Sequence, residues 1–204
     1  MDSDPVSPWP FPHVVMDGAF EDDLLDQVVG EFPDPASSAW GVFDNPRERK
    51  QACEDERFFG LATGHLLETL RSEEYCNNLG YLFGIPDLTA SIFGGGYHQI
   101  PTDGLLAMHV DFNRGHGLHR RLNHLTFLNR DYLPEYGGQL LLGEDGQVVI
   151  EPVFNRTAIF ATSEQSWHGH PTPWAGPSPR KSFAVYYFSP EPASDAPEHS
   201  TVFR

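Results

Sequence analysis

The chain has 204 residues, enough for one domain with a sizeable core, and the expected organisation is a single domain over 1–204. Its formal charge of −16 argues against nucleic acid or an anionic membrane as a partner. No apolar run approaches the roughly 20 residues of a membrane span, and "MDSDPVSPWPFPH" lacks the basic and apolar regions of a secretory signal. Cys53 and Cys76 form no metal-type spacing and are expected as free thiols in a cytoplasmic protein.

In chain order, residues 1–12 are proline-rich and extended. "DGAFEDDLLDQVVGEF" predicts a helix capped by Asp17, with Phe20, Leu24, Val28 and Phe32 repeating every four residues and Pro33 and Pro35 ending it. "EDERFFGLATGHLLETLRSEEYCNNLGYLFGI" predicts one or two more helices with Leu66, Leu67 and Leu70 inward, closed by Pro86. The stretch from about 13 to 85 therefore reads as helical. From Leu88 the texture changes to short β-type runs: "LTASIFGGGYHQI", "LLAMHV", "RRLNHLTFLN", "GQLLLG", "GQVVIEPV", "RTAIFAT" and "KSFAVYYFS". About seven strands between Gly, Pro and acidic turns over 88–189 suit a sandwich or jelly roll. The expected class is α+β, mainly β, with a polar, flexible tail over 190–204.

Within "AMHVDFN", His109 and Asp111 lie two apart, so in a strand they project to one face. A buried carboxylate needs a partner: a metal, a cation, or a surface position. Ten histidines are present. Most have a structural role by default, since a histidine acts as a ligand only where others converge on it. "TSEQSWHGHP" offers His168 and His170 after a predicted strand. Two histidines and one carboxylate on a β-scaffold make a facial triad, which leaves octahedral positions open and suits non-haem Fe(II) and oxygen. Arg180 opens the last strand, 12 residues after His168, and shares a face with Ser182 and Ala184, while Lys181 takes the other. A guanidinium facing a barrel interior needs an anion, and its fork fits a carboxylate.

With these residues in place, the chain resembles the Fe(II)/2-oxoglutarate-dependent oxygenases, in particular their prolyl 4-hydroxylase-like branch. The resemblance spans roughly residues 10–190. It rests on "HVDFN", on "RRLNHLTFLNRDYLPEYGGQLLL" with Leu128, Asn129, Asp131, Gly137 and Gly138, and on "SWHGHP" followed by "RKSFAVYYF"; "FPHVVMDGAF" resembles the start of bacterial members. It implies a double-stranded β-helix with N-terminal helices packed against it. It also implies Fe(II), 2-oxoglutarate and O₂ as cofactors, His109, Asp111 and His168 as metal ligands, and Arg180 as the partner of the far carboxylate of 2-oxoglutarate. Asn123 and Gln99 fall where the family places polar contacts to that cosubstrate. Phe127 departs from the pattern, since oxygen-sensing members carry a tyrosine there; Gln99, rather than Tyr97, is expected to point inward. Because Asp111 fills the carboxylate position, oxygen transfer is expected rather than the halogenation of relatives with Gly or Ala there.

The implied reaction hydroxylates a C–H bond and releases succinate and CO₂. Apolar residues of "LNHLTFL" and "SFAVYYF", with Trp167, are expected to exclude water. The substrate is less determined. "NRGHGLHRRLNH" concentrates Arg114, His116, His119, Arg120, Arg121 and His124 in an acidic protein. It reads as a solvated turn, or as a mouth for an anion in which Arg114 and Arg120 meet substrate. His170 is expected behind the metal or facing substrate. A small molecule, such as an amino acid or specialised metabolite, is the first expectation for the substrate. A protein prolyl residue is the second, and a non-catalytic metal-binding jelly-roll sensor is the alternative of another class. A zinc hydrolase fits least, since no general base is evident. The oligomeric state is not legible.

Overall fold

The computed structural model describes residues 5–115, 117–195, 197 and 199–204. Its first half runs β1 (His13–Asp17), α1 (Asp22–Gly30), β2 (Gly41–Asn45), β3 (Glu48–Cys53), α2 (Leu61–Arg71) and α3 (Glu73–Phe83). Its second half runs β4 (Thr89–Ile100), β5 (Leu106–Val110), β6 (Arg114–Gly115), β7 (Leu118–Phe127), β8 (Leu140–Leu142), β9 (Val148–Ile150), β10 (Arg156–Ala161), β11 (His168–His170), β12 (Arg180–Ser189) and β13 (Val202–Phe203).

The strands form one curled, antiparallel sheet in the order β1-β10-β7-β12-β4-β3-β5-β11-β8-β9. This is the expected jelly roll with helices against it. Each of the seven predicted runs overlaps an observed strand. The strand β12 shows why the sheet has two cores. Its Phe183, Val185 and Tyr187 pack with Leu25, Val28, Leu66, Leu67 and Leu70 of the helices. Its Arg180, Ser182, Tyr186 and Phe188 face the hollow of the curl. A strand covered on both faces needs an almost unbroken apolar run, and "SFAVYYF" supplies it. A second apolar cluster of Phe11, Phe127, Leu140, Leu142, Ile150 and Phe160 closes the curl at one end.

Three expectations change. Asp17 does not cap α1. It ends β1, paired with Arg156 at 2.6 Å, and the helix begins at Asp22 after Glu21. The cause is that β1 pairs with β10 through Asp17, while Asn155 anchors Phe20 through its side chain. The N-terminal stretch is not purely helical: β2 and β3 form a hairpin whose second strand joins β4 and β5. The tail is not wholly loose, because β13 pairs with β5. Ser72 separates α2 from α3 by capping the latter, accepting from Tyr75 N at 3.2 Å. Cys53 and Cys76 are free and buried, and among the described residues no helix is long and apolar enough to cross a membrane.

Candidate metal centre

Strand register brings His109 and His168 together. They are direct partners across β5 and β11, so both imidazoles leave the same face, with ring centroids 4.2 Å apart. Asp111, just past the end of β5, completes the group. Its Oδ2 lies 3.5 Å from His109 Nε2 and 3.6 Å from His168 Nε2. One donor atom from each of the three lies within 4.8 Å of the others, and all three residues are buried. His109 Nδ1 is held by the carbonyl of Ala107 at 2.9 Å, and His168 Nδ1 by that of Ser166 at 2.8 Å. Each Nδ1–H donates to its carbonyl, which leaves both Nε2 lone pairs aimed at the centre.

Electrostatics keep these groups ready as ligands. Burial alone would raise the Asp111 carboxyl. The Arg120 guanidinium beside it outweighs burial and holds the group well below the usual carboxylate range. Burial, with the neighbouring His109, pushes His168 down to about 4, so its imidazole is neutral at pH 7.

Arg180 sits deeper in the same cavity, 4% exposed, with Nε donating to Gly138 O at 2.9 Å and its guanidinium 5.1 Å from the Phe127 ring. Among the described residues it has no carboxylate partner, and burial lowers it to about 10. A buried cation without a counter-ion is costly unless a ligand supplies one. Asn123 is also inside, its Nδ2 3.4 Å from His168 Nε2. The donor set and this lone guanidinium fit a divalent metal with a chelating dicarboxylate.

Other predicted residues are distributed differently. Gln99 is buried but outside the cavity, bonding Gln51 at 2.6 Å. It pairs with Lys181 across β4 and β12, and so shares the outward face of Lys181, where Tyr97 also packs against the helices. His98 and Ile100 point inward instead. Trp167 does not line the cavity. It flanks His168 on the opposite face and carries the Arg204 guanidinium at 5.5 Å. His170 does line it, buried, with Nδ1 unpartnered.

The basic stretch does not form one mouth. Arg114 lies on the exposed β6 edge, 3.0 Å from His119 Nε2. Arg121 holds Ser189 and Glu191, and His124 bonds Tyr75 on the helix side. His116 lies outside the described residues. Among the described basic residues of the stretch, only Arg120 enters the cavity. There it pairs with Asp111 Oδ2 at 3.2 Å, bonds Asn123 at 2.7 Å and lies 3.5 Å over Tyr186. Sequence reasoning missed Glu48 and Lys50 of the hairpin, His98, and Thr201 and Phe203 of the tail, all of which line the site. His98 is tied to the inward face of β12 by its pairing with Ser182, a register that the sequence pattern does not carry. The hairpin and tail residues left no periodic signal.

The 2OG-Fe(II) oxygenase superfamily model matches residues 95–188, the segment that holds all three candidate ligands and Arg180. Residues 95–188 form a 2OG-Fe(II) oxygenase domain. Enzymes of this superfamily require Fe(II), 2-oxoglutarate and O₂. The chain's fold is similar to that of a Pseudomonas putida prolyl-4-hydroxylase, with TM-score 0.68 and 18% identity over 86% of this chain and 91% of that one. A Trichoplax adhaerens prolyl hydroxylase, solved with a hypoxia inducible factor oxygen degradation domain peptide fragment, gives 0.66 and 17% over 86% and 83%. HygX from Streptomyces hygroscopicus, solved with nickel, 2-oxoglutarate and hygromycin B, gives 0.56 and 11% over 87% and 82%. A search of curated proteins found no match.

Proposed function

We propose that this oxygenase hydroxylates an unactivated C–H bond of a small molecule, an amino acid or a specialised metabolite, and releases succinate and CO₂. The observation that carries the assignment is the pairing of the His109–Asp111–His168 cluster with a buried Arg180 that has no carboxylate partner among the described residues, in one cavity. In this reading His109 and His168 bind the metal through Nε2, and Asp111 through Oδ2. Arg180 grips the far carboxylate of 2-oxoglutarate with its fork, while Asn123 contacts the cosubstrate beside the metal. Leu125, Ile100 and Leu140 line the cavity and exclude water. Bound Fe(II) supplies the O₂ chemistry and 2-oxoglutarate the electrons.

The size of the site favours a small substrate. The cavity is about 290 Å³, and both the β2–β3 hairpin, through Phe43, Glu48 and Lys50, and the β13 segment wall it. A second reading, a prolyl residue in a peptide, is favoured by one feature. A further groove of about 350 Å³ shares Phe43, Lys50, Phe93 and Gly94 with the cavity and continues over Ala39 and Gly41, giving an extended chain somewhere to lie. The prolyl hydroxylases of similar fold point the same way.

Anaerobic titration of the metal-free protein with Fe(II) and then 2-oxoglutarate tests the assignment. A visible charge-transfer band is expected, and its absence would leave the non-catalytic sensor. Succinate release with a metabolite panel, set against a proline-containing peptide, separates the two substrate readings.

A further inference from the structure

Residues 199–204 return to the metal centre from far along the chain. Val202 pairs with Val110 and Phe203 with His109, so a short strand lies against the one that carries His109 and leads into Asp111. Backbone bonds frame it on both sides: His199 N donates to Phe112 O, and Arg204 N to Met108 O, each at 2.9 Å. Arg204 also pairs with Glu144 at 2.6 Å, but both side chains are more than half exposed, so this contact contributes little.

Two side chains of this segment face the site while Val202 faces solvent, as strand alternation requires. The Phe203 ring lies 5.5 Å from that of His109, with the Arg47 guanidinium 5.9 Å from it. The Thr201 hydroxyl donates to Asp111 Oδ1 at 2.8 Å. Asp111 is thus divided between its two oxygens. Oδ2 faces both imidazoles and Arg120, and Oδ1 is occupied by a residue 90 positions away in sequence.

We propose that this segment is a positioning strap. Thr201 fixes the Asp111 carboxylate so that it offers the metal one oxygen, and Phe203 walls the His109 side of the centre. The proposal rests on the metal-binding reading above. A carboxylate that lost its Oδ1 donor would be free to rotate, swinging both oxygens towards the metal or one towards water. Groups that orient metal ligands in this way are worth about 10–100-fold in metal affinity.

The test uses Co(II) as the metal and the full chain, with visible absorption reporting both affinity and coordination. Thr201→Val keeps the shape and β-branching but deletes the donor, and Thr201→Ser restores it. Thr201→Val is expected to raise the Co(II) dissociation constant by about 10-fold or more and to change the band pattern. Thr201→Ser is expected to stay within about twofold of the parent, with the parent's bands. A merely structural role for the strap would move the thermal midpoint and leave the spectrum alone. The proposal is overturned if Thr201→Val binds within twofold with unchanged bands, or if Thr201→Ser loses as much as Thr201→Val. Failure of the parent protein itself to bind Co(II) would remove the metal reading, and the strap's role with it.

Discussion

Replacing Arg180 with Met should make the empty protein more stable and the cosubstrate bind far worse. Burial lowers this guanidinium from 12.5 to about 10. That fall corresponds to about 3 kcal/mol of native-state penalty for holding the charge at neutral pH. Two contacts offset part of it. The bond from Nε to Gly138 O is worth about 1 kcal/mol. The Phe127 ring at 5.1 Å adds roughly 0.5–1 kcal/mol. Methionine fills similar space without charge, so Arg180→Met should gain about 1–2 kcal/mol in urea unfolding of metal-free, cosubstrate-free protein. The same change removes two charge-assisted bonds to the far carboxylate of 2-oxoglutarate, each worth roughly 1.5–3 kcal/mol. The dissociation constant for 2-oxoglutarate, read from the charge-transfer band, should rise at least about 100-fold. Arg180→Lys keeps the charge but not the fork, and should lose about 10-fold. A variant that is less stable when empty yet binds 2-oxoglutarate as before would refute the assignment, since Arg180 would then be a structural residue.

Asp111→Ala should abolish Fe(II) binding in equilibrium dialysis. It should also destabilise the protein by about 3 kcal/mol by leaving Arg120 buried and unpaired; adding Arg120→Met should restore most of that stability without restoring the metal. Gly138 has φ of +68° and an added Cβ would lie 2.9 Å from Arg180 Cδ. Gly138→Ala should therefore raise KM for 2-oxoglutarate about 10-fold while leaving the metal dissociation constant unchanged. His124 is fully buried on the helix side and burial pushes it down to about 3. It stays neutral in the folded protein, whereas the unfolded chain takes up a proton below about 6.5. Its contribution is intact above that pH and is lost as pH falls towards 3, reaching about 2 kcal/mol by pH 5. His124→Gln should lose correspondingly less stability between pH 7.5 and pH 5 in urea unfolding, and an equal loss in both proteins would contradict this.

The parts of the site that were legible in the sequence obey one strand's alternation. His109 and Asp111 needed only the two-residue period, and so did Arg180 against Lys181, which lies on the opposite face, where its ammonium reaches Val29 O on the helix side. Gln99 was misplaced because the facing of β4 relative to β12 is set by hydrogen-bond register, not by the pattern within either strand. The observed pairing of Gln99 with Lys181 ties the two to one face. Arg120 and Asn123, three apart, should face opposite ways in a regular strand. They point into the cavity together because the register shifts where Leu122 pairs with Tyr187 and Arg120 with Phe188, leaving Arg121 as the extra residue of a bulge. The strap is harder still, since a two-residue strand in a Pro-rich tail has no period to read.

These irregular positions have a common physical origin. A regular jelly roll offers the cavity only every second side chain of each strand. The pair that settles Asp111, Arg120 on one oxygen and Thr201 on the other, comes from a bulge and from the tail segment added beside β5, off the main strand order. Asp111 must stay ionised at a buried site, which takes donors from more directions than one strand's alternation provides. The two departures from alternation supply them, so the residues least visible in the sequence are the ones that fix the charge state of the residue most visible in it.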